Sequence, residues 1–123
     1  MLILVDSSIW ADHIRASLPA LVVRLERGDV AVHPAVIGEI AMGSLRQRGG
    51  FLAMMAGLPH IDVATDAEVL GFVNRHQLFG LGIGWIDAHL LASVQLTAMA
   101  RLWTRDRRLH EAATRLGLAA PLD

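Results

Sequence analysis

Short apolar runs with the character of buried strands alternate along this chain with segments of helical period. The first, Leu2–Val5, is an unbroken apolar run, as expected of a strand covered on both faces in a parallel sheet. Val30–Val32, Ile61–Val63 and Arg101–Trp103 repeat this character, and Leu118–Ala120 can add a last strand. The alternation predicts an α/β fold with a mainly parallel sheet of four to five strands, flanked by helices.

The segments between these strands carry helix start and stop signals. Proline opens helices at their first position, glycine closes them, and Ser, Thr or Asp caps them. Thr65 and Glu68 form a capping box, which predicts a helix to about Gln77. The other predicted helices run from Ser7 or Ser8 through Ile14, from Pro19 to Gly28, from Pro34 past Ala41, over Phe51–Gly57, from Trp85 to about Thr97, and from Asp106 to near Gly117.

The 123 residues fit a single domain, 1–123. Met1–Val5 is too short for the apolar core of a signal peptide, and Ala88–Ala100 is too short to span a bilayer. The chain has no cysteine, which excludes disulfides and thiolate metal sites and fits a reducing compartment. We therefore expect a cytoplasmic protein that does not associate with membranes.

The apolar content is high, with 54% hydrophobic residues and a mean hydropathy of +0.45. One interpretation is an apolar surface that a second copy of the chain covers. The segment Phe51–Gly57 lacks polar residues and favours this homodimer. The alternative is an Ala- and Leu-rich composition with ordinary burial.

Acidic residues follow the predicted strands or begin the helices after them. Asp6 follows the first strand and Asp106 comes just after Arg101–Trp103. Glu39 and Asp87 lie in the first halves of their helices, and all four have strongly apolar neighbours. Since the carboxyl ends of parallel strands meet at one sheet edge, these acids are expected to converge there.

Converging carboxylates repel each other unless a cation lies between them. The chain contains no lysine, and no arginine adjoins Asp6, Glu39 or Asp87 in sequence. Carboxylate oxygens suit Mg²⁺ or Mn²⁺, which can activate water and stabilise the leaving oxygen of a phosphodiester. Taken singly, each acid also has a structural explanation: Asp6 and Asp106 as helix caps, Glu39 as a half-exposed helix residue, and Asp87 through the helix dipole.

The basic residues are all arginines, although the net charge is only −1. Arg101, Arg105, Arg107 and Arg108 fall close together near the last acid, and arginine suits bidentate phosphate contacts. Arg105, Arg107 and Arg108 are the candidates for RNA binding. A GC-rich codon bias combined with a solvated helix end explains the same cluster without a ligand.

Trp10, Trp85 and Trp103 each lie near an acid in sequence. They could stack bases, but packing the core around the site is the expectation. The six histidines are scattered without a paired metal-binding spacing and are interpreted as structural or surface residues.

Four blocks of this chain resemble PIN domains, and among these most closely the VapC toxins. The blocks are Val-Asp-Ser-Ser-Ile-Trp at the start, Gly-Glu-Ile, Trp-Ile-Asp-Ala-His-Leu-Leu-Ala and Leu-Trp-Thr-Arg-Asp-Arg-Arg-Leu. The resemblance covers essentially the whole chain and implies a single PIN-like domain. It implies that Asp6, Glu39, Asp87 and Asp106 are catalytic and bind Mg²⁺ or Mn²⁺. It also implies that Ser8 and Thr104 support the metal, its water or the phosphate.

The implied activity is metal-dependent endonucleolytic cleavage of RNA, often structured RNA such as tRNA. The implied partners are a cognate VapB-like antitoxin and a second toxin chain, and these can form a toxin–antitoxin hetero-oligomer. The antitoxin is expected to insert an Arg between Asp6 and Asp87 or Asp106, with Trp10, Ile37 and Trp85 accepting its apolar face. Many relatives carry a further acid where this chain has Arg108 and Leu109, which puts a second, tightly held metal in doubt.

Other classes of α/β protein fit less well. A receiver domain needs a lysine after its last strand, and a haloacid-dehalogenase-like phosphatase needs an acid at position 8, where this chain has Ser8. A phosphate loop with lysine is also absent. Two alternatives on the same fold stay open: a non-catalytic module that binds RNA or protein, and a DNA nuclease.

Overall fold

The computed structural model describes residues 1–122, and its central feature is a parallel sheet. Strand β1 (Leu2–Val5) lies in the middle, between β2 (Val30–Ala31) and β3 (Ala100–Trp103). Both pairings are parallel, with Ile3 opposite Val30 on one side and Arg101 on the other. The predicted parallel α/β architecture is confirmed, and the carboxyl ends of all three strands share one edge.

The two outer segments of the predicted sheet are shorter than their sequence suggested. In place of strands at 61–63 and 118–120, the described residues show single parallel bridges, Val32 with His60 and Leu102 with Ala119. Beyond the first bridge, the backbone turns to helix side chains: Asp62 N and Ala64 N donate to the Thr97 and Ser93 hydroxyls at 3.0 and 3.1 Å. In an extended strand, these backbone N–H groups would instead donate to the carbonyl groups of a neighbouring strand.

Helices form at each predicted segment, with small differences at their ends. Where Ser7 or Ser8 was expected to cap the first helix, the N-cap position belongs to Asp6, whose side chain makes no capping bond. Instead that carboxylate is bound elsewhere, as described below. The helices are α1 (Ser7–Arg15), α2 (Pro19–Arg27), α3 (Pro34–Ala41), α4 (Arg48–Ala56), α5 (Asp66–His76), α6 (Trp85–Leu96) and α7 (Arg107–Arg115).

Local sequence signals account for several of these ends. Pro19 is the first residue of α2, and Gly28 ends it in the left-handed conformation, at φ 74°. Thr65 and Glu68 make both hydrogen bonds of the predicted capping box at the start of α5. No helix within residues 1–122 is both long and apolar enough to cross a membrane.

The core surrounds β1, whose residues Ile3, Leu4 and Val5 are fully buried. Trp10 and Trp103 are the largest buried side chains, and α6 contributes Leu90 and Leu91. This packing fixes the carboxyl edge of the sheet, because the first residues after β1 and β3 are held by a buried framework.

Candidate functional site

A network of hydroxyl groups holds Asp6 at the end of β1. The Asp6 backbone N–H donates to Trp103 O at 3.0 Å, continuing the pairing of β1 with β3. Its buried side chain accepts at Oδ2 from Ser8 Oγ at 2.8 Å and from Thr104 Oγ1 at 2.7 Å. Thr104 Oγ1 also accepts from Asp106 N at 3.0 Å. The residues that follow two neighbouring strands are therefore joined through one carboxylate oxygen.

The other three acids come from three different helices. Glu39 lies in the second half of α3, not in the first half as expected, because the helix already ends at Ala41; Asp87 lies in the first turn of α6, and Asp106 at the N-cap of α7. Asp87 Oδ2 accepts from Gly84 N at 3.1 Å, and Asp106 Oδ1 accepts from Leu109 N at 3.0 Å. In each of these two carboxylates, one oxygen accepts a hydrogen bond at the start of its helix, and the other oxygen does not take part in that bond.

All four acids line one cavity of about 540 Å³. Ser7 and Ser8 add hydroxyl groups to its polar part. The remaining wall is largely apolar and comes from α1, α3 and the residues after α3: Ala11, Ile14, Ile40, Gly43, Ser44 and Leu45. The structure thus brings together the acids that the sequence placed at strand ends and helix starts.

The carboxylates of this cavity influence one another. Burial raises the pKa of Glu39, and the charges of Asp6 and Asp87 raise it further, against a lowering hydrogen bond from Ser7. Burial also raises the pKa of Asp87; the bond from Gly84 opposes this, and the charges of Asp6 and Asp106 add to it. Both shifts have the direction expected where like charges share a confined space, and a cation there would relieve them.

The donor set of the cavity fits a hard divalent cation, since it consists of carboxylate and hydroxyl oxygens without cysteine or histidine. In residues 1–122, however, no three acidic or histidine side chains stand in an arrangement that could hold an ion as they are. The local bonds of Asp87 and Asp106 explain part of this, because they turn one oxygen of each toward its own backbone.

The three arginines near the last acid have different surroundings. Arg105 Nη1 pairs with Asp12 Oδ2 at 2.7 Å, and its backbone N donates to Ser8 Oγ at 3.1 Å. Arg107 pairs with Glu111 at 3.2 Å within α7. Arg108 lies across the backbone of Gly82, in the loop before α6.

Of the three tryptophans, Trp85 differs from the expected core packing, and the burial of Trp10 excludes its expected contact with an antitoxin. Trp10 and Trp103 are buried as predicted, but Trp85 is 46% exposed and packs edge-on against His89, with ring centroids 4.8 Å apart. Trp85 is the first residue of α6, where the helix leaves an exposed loop, so core packing does not reach it. Full burial also means that Trp10 presents no surface to a partner.

Sequence reasoning did not identify Asp12 or Gly82 as parts of this region. Asp12 holds both Arg105 and Arg15, the latter at 2.6 Å, and these charges lower the pKa of its carboxyl, with the Arg105 hydrogen bond as the first cause. Asp12 and Arg105 are far apart in sequence, so no local pattern could indicate their contact. The glycines at positions 80, 82 and 84 indicate a loop, but they do not indicate that Gly82 contacts Arg108.

Comparison with known proteins gives two findings. The family profile described as "PIN domain" matches residues 3–115. Ribonuclease VapC32 of Mycobacterium tuberculosis, from two strains, is 47% identical over 118 residues, which cover 96% of this chain and 95% of that protein. The similarity thus includes the whole acid-lined cavity.

Proposed function

The chain belongs to the PIN-domain family and is related to the VapC ribonucleases within it, and on that premise we propose that it is a metal-dependent endoribonuclease. The observation that carries the proposal is the convergence of Asp6, Glu39, Asp87 and Asp106 on one cavity from four separate elements. A purely structural role for each acid does not explain this convergence. The name of the relative, a ribonuclease, supports RNA rather than DNA as substrate.

The four carboxylates are proposed to hold Mg²⁺ or Mn²⁺. A bound ion of this kind supplies a polarised water and charge stabilisation at the phosphodiester. Ser8 and Thr104 act as positioning residues, because their hydroxyls donate to Asp6 Oδ2, while Oδ1 accepts a longer hydrogen bond of 3.5 Å from Ser7.

A VapB-like antitoxin is proposed as the partner that stops the reaction, with structured RNA such as tRNA as the substrate and the cytoplasm as the place of action. The apolar wall beside the acids supports an inhibitor with one apolar face and one basic side chain. Ile14, Ile40 and Leu45 offer the apolar contact, while Trp10 is too deeply buried to do so. An arginine would bridge the carboxylates in place of the ion.

Cleavage of RNA by the purified chain tests this proposal. With a tRNA pool as substrate, we expect products with Mg²⁺ or Mn²⁺ and none with excess EDTA. Addition of the protein encoded beside this gene should stop cleavage, and higher Mg²⁺ should restore part of it. RNA binding without cleavage in either metal would instead favour the non-catalytic module, and cleavage of DNA alone would favour the DNA nuclease.

A homodimer is proposed as the state of the free chain. The segment Phe51–Gly57 supports it less than expected, because Met55 is buried and Phe51 packs against the core. Elsewhere, Met42, Phe79 and Met99 expose apolar surface that a second chain could cover, with exposed fractions of 88%, 66% and 73%. Sedimentation equilibrium should give twice the chain mass of 13.3 kDa at micromolar concentration, and monomer alone would contradict the proposal.

A further inference from the structure

Of the three arginines around the last acid, only Arg108 has a guanidinium without a hydrogen-bond or ion-pair partner in the part of the chain that the structure describes. Arg105 is paired with Asp12, which also holds Arg15, and Arg107 is paired with Glu111. Arg108 is exposed in the first turn of α7, two residues after Asp106. The position of an unpaired guanidinium beside an acid-lined cavity therefore calls for an explanation.

Gly82 makes room for this guanidinium. A Cβ atom at position 82 would collide with Arg108 Nη1 and would lie 2.8 and 2.9 Å from its Cδ and Cζ. Gly82 also has φ 79°, a conformation that side chains disfavour. The bare backbone of Gly82 therefore lies against the guanidinium of Arg108, and a side chain at position 82 would displace it.

Arg108 and Gly82 line a second cavity, of about 500 Å³, together with Asp106, Arg107 and Glu111. Asp106 also lines the first cavity, so one carboxylate separates the two. Both acids of the second cavity already have partners: Glu111 pairs with Arg107, and Asp106 Oδ1 accepts from Leu109 N. Neither acid pairs with Arg108, whose guanidinium is therefore the group of this cavity that can donate to a ligand.

We propose that this second cavity is a phosphate subsite, in which Arg108 binds a backbone phosphate adjacent to the one cleaved between the acids. The inference rests on the proposed ribonuclease function, since successive phosphates of one strand would occupy the two neighbouring cavities. Arginine suits the task because its planar fork donates two hydrogen bonds to one phosphate. The bound phosphate sets the register of the strand relative to the acids.

Fluorescence polarisation with a labelled RNA hairpin tests the subsite without requiring cleavage. In EDTA, Arg108→Gln should weaken binding about tenfold and reduce the slope of log affinity against log salt by about 1. Arg108→Lys should recover part of the affinity, because it restores the charge but not the fork. Gly82→Ala should also weaken binding, because it displaces Arg108 while all charges remain, and thermal unfolding will show whether that variant is folded.

Arg75→Gln is the matched control, since Arg75 is an exposed arginine that lines a different cavity, between α5 and α6. Its affinity should stay within about twofold of the parent. Equal affinities of Arg108→Gln and Arg75→Gln would overturn the subsite, even if the parent chain cleaves RNA. Absence of metal-dependent cleavage by the parent would instead count against the ribonuclease proposal, while the polarisation result would still decide on the subsite.

Discussion

Replacement of Asp6 by Asn is expected to lower RNA cleavage by roughly a thousandfold or more while the chain stays folded. Asn keeps the shape of the side chain and an oxygen that can accept from Ser8 and Thr104, so the hydroxyl network survives. What is lost is one of the four charges of the carboxylate cluster. That charge contributes to the raised pKa of both Glu39 and Asp87, so its removal relieves repulsion in the metal-free chain.

The measurement is kcat in saturating Mn²⁺ together with the free energy of unfolding in EDTA. The free energy of unfolding should stay within about 1 kcal/mol of the parent's value, or rise above it. Asp62→Asn is the control, because Asp62 is an exposed acid outside the acid-lined cavity. Full activity in Asp6→Asn would remove the proposed mechanism, and a large loss of stability would assign Asp6 a mainly structural role.

Acid should destabilise the fold through His33, at the start of α3. Its side chain is 3% exposed, and burial, followed by the nearby His89, lowers its pKa from 6.5 to about 4. Nδ1 accepts from Ala35 N at 3.0 Å, which requires the neutral ring, and within residues 1–122 the buried Nε2 has no partner. The folded chain therefore resists the proton that the unfolded chain accepts.

The sign follows from these two pKa values. Well above pH 6.5 the ring is neutral in both the folded and the unfolded state, so its titration does not change the free energy of unfolding. Between about pH 6.5 and 4 only the unfolded state is protonated, so stability falls by up to about 3 kcal/mol as the pH drops. Urea unfolding at about pH 7.5 and about pH 4.5 measures this loss.

His33→Asn isolates the contribution, because Asn can still cap α3 but does not titrate. The variant will be less stable at neutral pH, because the smaller side chain does not fill the buried space. However, its free energy of unfolding should fall less than the parent's between the two pH values, by about 2 to 3 kcal/mol. His110→Asn, at an exposed position in α7, should keep the parent's loss. An unchanged pH dependence in His33→Asn would mean that other groups carry the acid sensitivity.

Features with a local cause could be predicted from the sequence. The unbroken run Leu2–Val5 became the central strand, and the prolines, Gly28 and the Thr65 box set helix ends where expected. The convergence of the acids followed from the same map, because parallel strands deliver their next residues to one edge. Two of these acids were assigned as possible helix caps as well, and Asp106 does cap α7 while lining the cavity.

Features that depend on contacts between distant segments could not be predicted. The pairing of Asp12 with Arg105 and the crossing of Arg108 over Gly82 leave no periodic trace in the sequence. The outer strands were overestimated because apolar runs do not reveal that Ser93 and Thr97 take the backbone donors of residues 62–64. The exposure of Trp85 has a similar origin, since it depends on where the preceding loop leaves the core.

The central position of β1 has a consequence for the chain during its synthesis. Leu2 pairs with Ala100, and Asp6 accepts a hydrogen bond from Thr104. The first strand, β1, therefore cannot pair with β3 until almost the whole chain has been synthesised. Closure of such a long loop makes this a late step in folding. A ribosome-bound fragment that ends before β3 lacks both Thr104 and Asp106 and so cannot assemble the carboxylate cluster. Such an incomplete chain therefore lacks part of the proposed metal-binding site.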